Sequence, residues 1–520
     1  MIFLTGFMGS GKTSLGKELA KVLKLAFIDL DENISCNAGT KISEIFSSAG
    51  EKAFRFLEQD ALKKIIRHGE ECVVATGGGL PIDPINRSLM KAAGFVFYLQ
   101  ASFETLQARI PDAQGRPLWD NSARELFESR KNAYEDSDYI INTQCKSIEE
   151  LAKELEYTIR KLSMPVPVAL ADNPYPVYVG KGIFNDLPGI MHRHLNPEGL
   201  FVLCDENVKR MHSDRIQSVL GGVKHHIMVI PPGEESKTHA FLCCVLDEML
   251  SRNVNRAWAC LALGGGVTGD LSGFAASIFM RGIPVIQVPT TLLAQVDASI
   301  GGKTAINQIQ GKNLVGTFHQ PAFVLSDTAF LETLHATHVK SDLAEVIKYA
   351  VIMDENLFYY LEGRESYDYE DVVRMCCRDK SYVVAQDEKE TGMRRILNFG
   401  HSLGHAIEKV QDFVIPHGQA VAIGMLFSTW LSHDIGMLKR SEMSRIFKLI
   451  KKSRIVPNEF QFPQADKILD GLKVDKKAQT KAIDFVLTPA IGDATVRKLF
   501  ISDVIEFYKR FVHEHQTGIS

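Results

Sequence analysis

Short apolar runs alternate with amphipathic stretches along the first part of the chain. The runs "MIFLT", "CVVAT" and "FVFYL" have the length and composition of buried strands, whereas "SLGKELAKVL" places Leu15, Leu19 and Val22 at helical spacing. Segments that alternate in this way form a parallel sheet covered by helices on both faces. The pattern therefore predicts an α/β domain at the start of the chain.

A proline-rich junction separates this pattern from a second one. In "SMPVPVALADNPYPVYVG" the closely spaced prolines exclude a helix, so we place a domain boundary near Met164 and expect a connector between self-sufficient domains. Beyond it, "GLFVLCD", "HHIMVI", "WACLALGGG" and "PVIQVPTT" predict strands separated by helices. From about Asp327 onward helical spacing predominates. The expected regions are therefore 1–163, 164–326 and 327–520.

Length and composition exclude several classes of protein. A chain of 520 residues is too long for one core, and 45% hydrophobic with 23% charged residues is typical of a soluble globular protein. The net charge of -4, without a long basic run, argues against nucleic acid as a partner. No apolar stretch approaches the ~20 residues of a membrane span, and a glycine-rich loop starts at Gly6, which leaves no room for a signal peptide. We expect a cytoplasmic protein with small anionic ligands, which binds neither nucleic acid nor a membrane.

The stretch "GFMGSGKT" fits the phosphate-binding loop that joins a strand to a helix. Its backbone N–H groups turn toward phosphate oxygens, Lys12 supplies positive charge, and Thr13 can ligate Mg²⁺. "FIDLDENI" places Asp29 and Asp31 at alternate positions of a strand end, so one carboxylate can assist Mg²⁺ while the other accepts from a substrate hydroxyl. These residues predict a kinase that uses ATP and Mg²⁺. The expected nucleotide and metal contacts are Gly9, Ser10, Gly11, Lys12, Thr13, Ser14 and Asp29.

Further motifs near the start of the chain suit a small anionic acceptor. "EKAFRFLE" places Arg55 and Glu58 one helical turn apart, "TGGGLP" offers bare backbone, and arginine suits a planar carboxylate. Together with "GRPL" and "ESRKNAYEDSDYII", these motifs in this order resemble shikimate kinase. The resemblance implies that Asp31 orients the attacking hydroxyl and that Arg116 closes over ATP on a lid. It implies that shikimate contacts Asp31, Arg55, Gly77, Gly78, Gly79 and Arg130.

A second glycine pattern lies in the middle of the chain. "LALGGGVTGD" follows a predicted strand and places Gly264, Gly266 and Gly269 at the spacing of a dinucleotide-binding fingerprint. The fingerprint alone is weak evidence, because a tight turn without a ligand has the same pattern. Support for a site must come from the later helices.

Candidate metal ligands occur on three of those helices. "AEVIKYAV" places Glu345 and Lys348 on one face. "NFGHSLGHAIE" places His401 and His405 four residues apart, and "IPHGQAVAIGM" adds His417. One carboxylate and three imidazoles suffice for a metal site, and spacing alone favours His401 with His405. A hydrogen-bonded histidine pair in the core is the alternative.

Segments from about Val168 nearly to the C-terminus together resemble 3-dehydroquinate synthase. They are "PPGEESK", "GGGVTGDLSGFAASIFMRG", "VPTTLLAQVDASIGGKTAIN", "GKNLVG", "LAEVIKYA", "RRILNFGHSLGHAIE", "HGQAVAIGM" and "DKK". The two resemblances imply a P-loop domain with a parallel sheet over 1–163, a Rossmann-like NAD-binding α/β half over 164–326, and a mainly α-helical half over 327–520. The resemblance to 3-dehydroquinate synthase also implies a metal, zinc or cobalt, held by Glu345, His401 and His417. It implies that His405 contacts the substrate instead of the metal.

The second resemblance assigns further residues to the ligands. NAD is expected to contact Asp205, Glu234, Lys237, Gly265, Gly266, Val267, Asp270, Thr290 and Thr291. The substrate is expected to contact Arg281, Asp297, Lys303, Lys312, Asn313, Lys348, Lys380, Arg394, Asn398, His405 and Lys476. Of these, the expected catalytic residues are Lys303, Lys348, Lys380, Arg394 and His405. Because Arg281 of "FMRG" matches an arginine that reaches the neighbouring subunit's site, the resemblance also implies a homodimer through this half.

The implied reaction explains why NAD, a metal and many cations occur together. Elimination of phosphate needs a carbanion beside the leaving group, and an alcohol cannot stabilise one. Transient oxidation by NAD⁺ to a ketone acidifies the neighbouring C–H, after which the hydride is returned and the ring closes by aldol addition. A metal polarises the oxygens of the oxidised carbon, while lysines and arginines hold the carboxylate and phosphate.

Two alternatives and two departures from the family pattern remain. Another sugar-phosphate cyclase fused to a cyclitol kinase is the first alternative, against which the shikimate-type motifs argue. A scaffold in which one half only regulates the other is disfavoured because both sets of reactive residues are intact. Gln419 stands where the family commonly has glutamate, and Asp342 where glycine is common. Gln419 predicts the loss of a carboxylate that orients a zinc histidine, and hence weaker metal binding.

Overall fold

The computed structural model describes residues 1–110, 122–144, 146–159, 164–412, 414–457, 460–473 and 482–515. The chain forms two compact units, Met1–Val179 with Gly189–Asn196 (unit 1) and Gly180–Pro188 with Pro197–Ser520 (unit 2). The boundary predicted near Met164 falls inside unit 1. Two of the predicted site residues, Arg116 and Lys476, lie outside the described residues.

Unit 1 contains the parallel sheet that the apolar runs predict. Its strands are β1 (Ile2–Thr5), β2 (Ala26–Asp29), β3 (Cys72–Ala75), β4 (Phe95–Gln100) and β5 (Tyr139–Asn142), all parallel in the spatial order β2-β3-β1-β4-β5. Its helices are α1 (Lys12–Leu23), α2 (Leu30–Ala38), α3 (Ile42–His68), α4 (Pro84–Ala93), α5 (Phe103–Ala108), α6 (Ala123–Glu135) and α7 (Ile148–Ile159). An antiparallel pair follows, β6 (Val166–Val168) with β7 (Tyr175–Gly180), in which Val166 faces Val177.

Burial in unit 1 follows the periodicity of the sequence. Strands β1 and β3 are buried at every position. Helix α1 buries Leu15, Leu19 and Ala20 in one core with Ile2 and Val73 of the sheet. The predicted α/β fold of this part of the chain is confirmed.

A buried ion pair in unit 1 includes a residue far along the chain. Arg193, on α8 (Leu187–His194), contacts both carboxylate oxygens of Asp138 at 2.6 and 2.7 Å. Asp138 also accepts the N–H of Val96 at 2.7 Å, and Arg193 donates to the carbonyl oxygen of Gly94 at 2.5 Å. The two side chains are 13% and 5% exposed. Arg193 therefore ties α8 to the beginnings of β4 and β5.

Arg193→Ala is expected to destabilise unit 1 by about 3–5 kcal/mol, because Asp138 would stay buried without a cation. Hydrogen exchange at the amides of β4 and β5 in the full-length protein measures this loss. Arg124→Ala is the matched control: its ion pair with Glu104 has both side chains more than half exposed and should change protection little. Equal protection in the two variants would contradict a stabilising role for Arg193.

Unit 2 contains further parallel strands and an antiparallel hairpin. The strands are β8 (Gly199–Asp205), β9 (His225–Ile230), β10 (Trp258–Gly264), β11 (Val285–Pro289), β12 (Lys303–Gln308), β13 (Gly311–Phe318) and β14 (Phe323–Asp327). Five of them run parallel in the order β14-β11-β10-β8-β9, and β12 pairs with β13 in an antiparallel hairpin. The helices of this half are α9 (Glu206–Met211), α10 (Ser213–Leu220), α11 (His239–Ser251) and α12 (Gly266–Ile278).

The rest of unit 2 is mainly helical, as predicted. Its helices are α13 (Ala336–Ile352), α14 (Glu355–Glu362), α15 (Tyr369–Gln386), α16 (His401–Val410), α17 (His417–Asp434), α18 (Arg440–Ser453), α19 (Ala465–Lys473) and α20 (Ile501–His515). An antiparallel hairpin that the pattern did not indicate, β15 (Ala482–Ala490) with β16 (Asp493–Phe500), precedes α20. Across the described residues, none of the helices combines the length and the apolar character that crossing a bilayer requires.

Two glycines let the neighbours of α17 approach it closely. A Cβ atom at Gly418 would lie 1.9 Å from the carbonyl oxygen of Ser341 on α13. One at Gly424 would lie 1.9 Å from the carbonyl oxygen of Gly400, which caps α16. Only glycine permits these backbone contacts. They bring together the three helices that carry the predicted metal ligands.

Two candidate active sites

The loop between β1 and α1 has the backbone geometry of a phosphate cradle. Gly6, Gly9 and Gly11 have positive φ values of 144°, 82° and 91°, in a region that favours glycine. Lys12 donates from Nζ to the carbonyl oxygens of Gly6 at 2.8 Å and Phe7 at 3.1 Å. The ammonium group therefore lies over the loop, where it can meet a bound phosphate chain.

Thr13 and Asp29, the residues predicted to serve Mg²⁺, are in contact. Thr13 Oγ1 donates to Asp29 Oδ2 at 2.7 Å, and Asp29 Oδ1 accepts the N–H of Asp31 at 3.1 Å. Asp31 lies in the first turn of α2, which corrects the expectation that it belongs to a strand end, because Asp29 caps a helix there. Burial raises the pKa of Asp31, although the nearby charge of Lys12 opposes the shift. Two carboxylates and one cation therefore meet beside the phosphate loop.

Buried polar side chains surround the triple glycine. A Cβ atom at Gly77 would lie 2.4 Å from Glu58 Oε1 and 2.7 Å from Asp31 Oδ1. One at Gly79 would lie 2.0 Å from Nη1 of Arg55. Glycine at these positions therefore lets the three side chains lie directly against the backbone.

Arg130 and Tyr134 hold the middle of the triple glycine. Both donate to the carbonyl oxygen of Gly78, Arg130 at 3.3 Å and the Tyr134 hydroxyl at 2.5 Å. Within the described part of the chain, Nε of Arg130, Oδ1 of Asp31 and Oε1 of Glu58 are buried without a hydrogen-bond partner. Buried polar atoms are normally paired, so three unpaired ones in one cluster indicate a polar ligand that supplies the partners.

Glu58 makes the cluster sensitive to pH. Its side chain is 1% exposed and accepts from Arg55 Nη1 at 2.6 Å. Burial raises the pKa of Glu58 to about 7, although the charge of Arg55 opposes the shift. Since this folded-state pKa lies above the ordinary value, folding favours the protonated carboxyl, and the associated stability is lost as the pH rises through 7.

The Michaelis constant for an anionic phosphate acceptor is expected to rise as the pH increases through about 7, because ionised Glu58 competes with the acceptor for Arg55. The rise should approach at most about tenfold per pH unit and should disappear in Glu58→Gln. Steady-state kinase rates at several pH values measure it. Glu51→Gln is the control, since Glu51 also pairs with Arg55 but is 56% exposed. A rise that persists in Glu58→Gln would assign the pH dependence to another group.

The predicted dinucleotide residues converge in unit 2 at the carboxyl ends of β8, β10 and β11. These strands are parallel neighbours, so Asp205, Gly264 and Thr290 lie along one edge. Thr290 donates its N–H to the carbonyl oxygen of Gly264 at 2.9 Å. A Cβ atom at Gly264 would lie 3.0 Å from Cβ of Asp205, and one at Gly265 would lie 3.0 Å from Cγ2 of Thr291. Glycine thus leaves the start of α12 accessible to a dinucleotide at this edge.

Asn307, which was given no role in the sequence analysis, connects four further predicted residues in one hydrogen-bond network. Lys237 is 3% exposed, and its Nζ contacts the carboxylate of Asp270 and the side-chain oxygen of Asn313. The Asn307 side chain donates to Glu234 at 2.6 Å and accepts the N–H of Asn313 at 3.0 Å. Burial raises the pKa of Asp270 despite the charge of Lys237. The network therefore links the beginning of α12, through Asp270, to the β12–β13 hairpin.

Glu345, His401 and His417 form a cluster suited to a divalent metal. Their ligand atoms lie within 4.8 Å of one another, and Glu345 Oε1 is 3.3 Å from His401 Nε2 and 3.8 Å from His417 Nε2. Glu345 is 2% exposed, and among the described residues Oε1 has no hydrogen-bond partner. One carboxylate with two imidazoles is the donor set of catalytic zinc sites, so these residues fit a metal. The resemblance implied this set of ligands, whereas spacing alone favoured His401 with His405.

A second cluster shares His417. Ligand atoms of His405, Glu408 and His417 also lie within 4.8 Å of one another, and His417 Nδ1 is 3.3 Å from Glu408 Oε1. Burial raises the pKa of Glu408, but the hydrogen bond from His417 and the charges of His417, His405 and Lys312 lower it overall. Lys312 thus acts electrostatically on the same carboxylate as the two histidines, and its contact with substrate stays a prediction. The sequence assigned no role to Glu408, although it closes the quoted segment "HAIE".

Asp297 is surrounded by two lysines and a tyrosine. Its Oδ1 lies 2.7 Å from Lys380 Nζ and 3.9 Å from Lys348 Nζ, and it accepts the Tyr349 hydroxyl at 2.5 Å. Burial alone would raise the pKa of Asp297, but the lysines hold it well below its usual range. Burial lowers the pKa of Lys380 to about 8, against the pull of Asp297. Lys348 in turn contacts Glu345, so this group adjoins the metal cluster.

Lys303 and Asn398 share Glu390, another residue without an assigned role. Lys303 contacts one carboxylate oxygen of Glu390, and Asn398 donates to the other at 3.2 Å. Arg394 is 1% exposed and donates to two backbone carbonyl oxygens, at 2.7 Å and 3.3 Å. Its guanidinium therefore braces the loops around the site rather than standing open to it.

Comparisons with known proteins match both halves of the chain to known families. Residues 8–160 match the family "Shikimate kinase", residues 227–341 match "3-dehydroquinate synthase N-terminal", and residues 342–478 match "3-dehydroquinate synthase C-terminal". The 3-dehydroquinate synthase of Thermoanaerobacter pseudethanolicus is 37% identical over 354 residues, which cover 66% of this chain and 99% of that protein. The chain belongs to the 3-dehydroquinate synthase family. A shikimate kinase region precedes the synthase, so the chain is a fusion of the two.

Two solved structures resemble the synthase region. The 2-deoxy-scyllo-inosose synthase complexed with carbaglucose-6-phosphate, NAD⁺ and Co²⁺ is 25% identical, with a TM-score of 0.61, and the match covers 67% of this chain and 99% of that chain. The 2-epi-5-epi-valiolone synthase from Streptomyces hygroscopicus subsp. jinggangensis, with NAD⁺ and Zn²⁺ bound, is 30% identical, with a TM-score of 0.59, over 65% of this chain and 96% of that chain. The shared fold confirms the predicted Rossmann-like and helical halves of the synthase.

The two departures from the synthase pattern have different surroundings. Asp342 accepts the N–H of Leu293 at 3.0 Å, and burial raises its pKa to about 6. The half-buried Gln419 side chain makes no hydrogen bond within the described ranges. Glu408 supplies a carboxylate to His417 although Gln419 replaces the glutamate of the family, and the weaker metal binding expected from Gln419 stays a prediction.

Proposed function

We propose that this chain catalyses two reactions. Unit 1 phosphorylates shikimate with ATP to give shikimate 3-phosphate. Unit 2 converts 3-deoxy-D-arabino-heptulosonate 7-phosphate (DAHP) to 3-dehydroquinate with loss of phosphate. The observation that carries the proposal is that each unit assembles its own connected set of reactive groups, with Lys12 and Asp31 in one and the Glu345–His401–His417 cluster in the other.

In unit 1 the chain's own residues position the reactants. Asp31 accepts the proton of the attacking hydroxyl in this proposal, while Arg55 and Arg130 suit the carboxylate of shikimate. Lys12 neutralises charge on the transferred phosphoryl group. Thr13 and Asp29 are the residues that would hold Mg²⁺, and the ion would offset negative charge on the phosphates of ATP.

In unit 2, Glu345, His401 and His417 would hold zinc or cobalt, and the edge formed by β8, β10 and β11 would hold NAD. The bound cofactors supply a Lewis acid for the substrate oxygens and a reversible hydride acceptor. Support comes from the two similar synthases, which bind NAD⁺ with Co²⁺ or Zn²⁺, and from the Glu345 oxygen that has no hydrogen-bond partner among the residues described.

Other residues of unit 2 bind the substrate and hold protons. Lys303, Lys312 and Lys380 supply cations for its carboxylate and phosphate. With a pKa of about 8 and a carboxylate 2.7 Å away, Lys380 can hold or release a proton at Nζ near neutral pH. Asp297 stays ionised between its lysines and so keeps both of them oriented.

Assays of the full-length protein test the two activities separately. One contains shikimate, ATP and Mg²⁺, and the other contains DAHP, NAD⁺ and Zn²⁺ or Co²⁺. Formation of shikimate 3-phosphate in the first and of 3-dehydroquinate with free phosphate in the second is expected. Turnover of a sugar phosphate without a carboxylate, and of a cyclitol instead of shikimate, would favour the alternative cyclase and cyclitol kinase.

Unit 2 is also proposed to form a homodimer in which Arg281 reaches the partner's site. The Arg281 side chain is exposed and makes no hydrogen bond or ion pair with any described residue, and the φ of Arg281 is 70°, next to Met280 with 48°. Non-glycine residues rarely adopt such angles without a functional or packing reason. Ile278 and Met280, which precede it closely in the chain, are each about 40% exposed, as an interface requires.

Mixing the inactive variants Arg281→Ala and His401→Ala is expected to restore part of the synthase activity. One of the two sites in a mixed dimer carries neither change if Arg281 acts across the interface, so at most about a quarter of wild-type activity should return after random exchange. The measurement is the synthase rate after the two purified proteins have exchanged subunits. Arg281→Ala alone, taken through the same exchange procedure, is the control. Proven exchange without recovery would count against a shared site.

A further inference from the structure

Glu408 is a buried carboxylate that the proposed reaction leaves without a role. It is 4% exposed and lies on α16, where helical spacing puts it on the same face as His401 and His405. An acidic side chain is buried to this degree when a cation or a hydrogen-bond donor pairs with it. That partner is His417, the first residue of α17.

The two ring nitrogens of His417 face different groups. Nδ1 lies 3.3 Å from Glu408 Oε1, whereas Nε2 lies 3.8 Å from Glu345 Oε1. An ionised carboxylate can only accept, so Nδ1 carries a proton, and the neutral ring then has its lone pair on Nε2. His401 is arranged alike, with Nδ1 3.1 Å from the carbonyl oxygen of Phe399 and Nε2 3.3 Å from Glu345 Oε1. Both imidazoles thus direct Nε2 at the same carboxylate oxygen.

We infer that Glu408 is a positioning residue that holds the Nδ1–H of His417, so that Nε2 completes the metal site with Glu345 and His401. The inference rests on the proposed metal-dependent synthase. A carboxylate on the second ring nitrogen fixes the tautomer and orientation of a metal-binding histidine and makes it a better ligand. Removal of such a partner lowers metal affinity by about 10–100-fold.

A competing arrangement would make Glu408 itself a ligand, together with His405 and His417. Two observations favour the positioning role. Glu408 is already bonded to His417, while Oε1 of Glu345 is the buried oxygen without a partner among the residues described here. His405, which the competing set requires, is exposed, whereas Glu345 is buried.

The test measures the affinity of the metal-free, full-length protein for Zn²⁺ by competition with a chelator, and the visible absorption of its Co²⁺ form. Glu408→Gln is expected to weaken Zn²⁺ binding by about 10–100-fold and to alter the Co²⁺ spectrum. Lys409→Gln, at the next and exposed position of α16, is the matched control and should bind as the wild type does. Unchanged affinity in Glu408→Gln would overturn the inference.

Two further variants separate positioning from ligation. His405→Ala should keep the wild-type Zn²⁺ affinity while Glu345→Gln loses it; equal losses in both would make Glu408 a ligand and overturn the inference. Should Glu408→Gln fail to fold, Glu408→Asp draws the carboxylate back by one methylene and should weaken Zn²⁺ binding by a smaller factor, and no change would overturn the inference. A wild-type protein that binds Zn²⁺ but forms no 3-dehydroquinate would refute the proposed function and leave this role of Glu408 standing.

Discussion

Lys12→Ala is expected to abolish phosphorylation of shikimate while formation of 3-dehydroquinate continues at the wild-type rate. The Lys12 ammonium lies over the phosphate loop, and its removal leaves the transferred phosphoryl group without its fixed cation. The loss of one such preorganised group costs about 10²–10³-fold in kcat or more. A coupled assay of ADP release measures the kinase, and release of phosphate from DAHP measures the synthase.

Lys17→Ala provides the control for this change. Lys17 lies on the same helix, is exposed and carries the same charge, but it has no place in the phosphate loop. Its kinase activity should equal that of the wild type. Near-normal phosphorylation of shikimate by Lys12→Ala would refute the assignment of the phosphate loop.

Residues whose role depends on local backbone could be predicted from the sequence. At Gly77, Gly79 and Gly264 a Cβ atom would lie within about 3 Å of neighbouring side-chain atoms, and the glycine-rich motifs mark these crowded positions in the sequence. The strand order of a parallel sheet then places the ends of β8, β10 and β11 at one edge. For these reasons the glycine loops of both sites could be recognised from pattern, whereas the other predicted NAD contacts came from the resemblance to a family.

Residues brought together by the packing of helices could not be found from spacing. His401 and His405 lie one turn apart on α16, yet the carboxylate of Glu345 meets His401 and His417, which α17 supplies. That contact depends on the close approach of α13 and α16 to α17, which no local pattern records. Only the resemblance to a family carried this information.

Partners of charged residues were missed for the same reason. Asn307, Glu390 and Glu408 each join predicted site residues that come from different elements. The boundary near Met164 was predicted from the prolines; the match to shikimate kinase ends just ahead of it, at residue 160, whereas the compact unit 1 extends to Val179. A cut there would remove β6, β7 and Arg193 from unit 1, together with the cation that pairs with Asp138.

Removal of the tightly bound metal with a strong chelator, followed by resupply of Mg²⁺, is expected to silence the synthase and spare the kinase. Glu345, His401 and His417 all lie in unit 2, and within the described residues no comparable group of metal-binding side chains occurs in unit 1. The synthase should fall by at least about 100-fold, because several kcal/mol of charge stabilisation are lost, and Zn²⁺ or Co²⁺ should restore it.

Glu345→Gln should reproduce the effect of the chelator without any chelator present, because the amide oxygen is a weaker ligand and leaves Lys348 without its buried carboxylate. Glu332→Gln, at an exposed position of unit 2, is the control and should leave both activities unchanged. Both rates are measured on the same full-length preparations. If the kinase also stayed silent after Mg²⁺ was resupplied, or fell in Glu345→Gln, the two sites would depend on one another and the independence of the two activities would have to be abandoned.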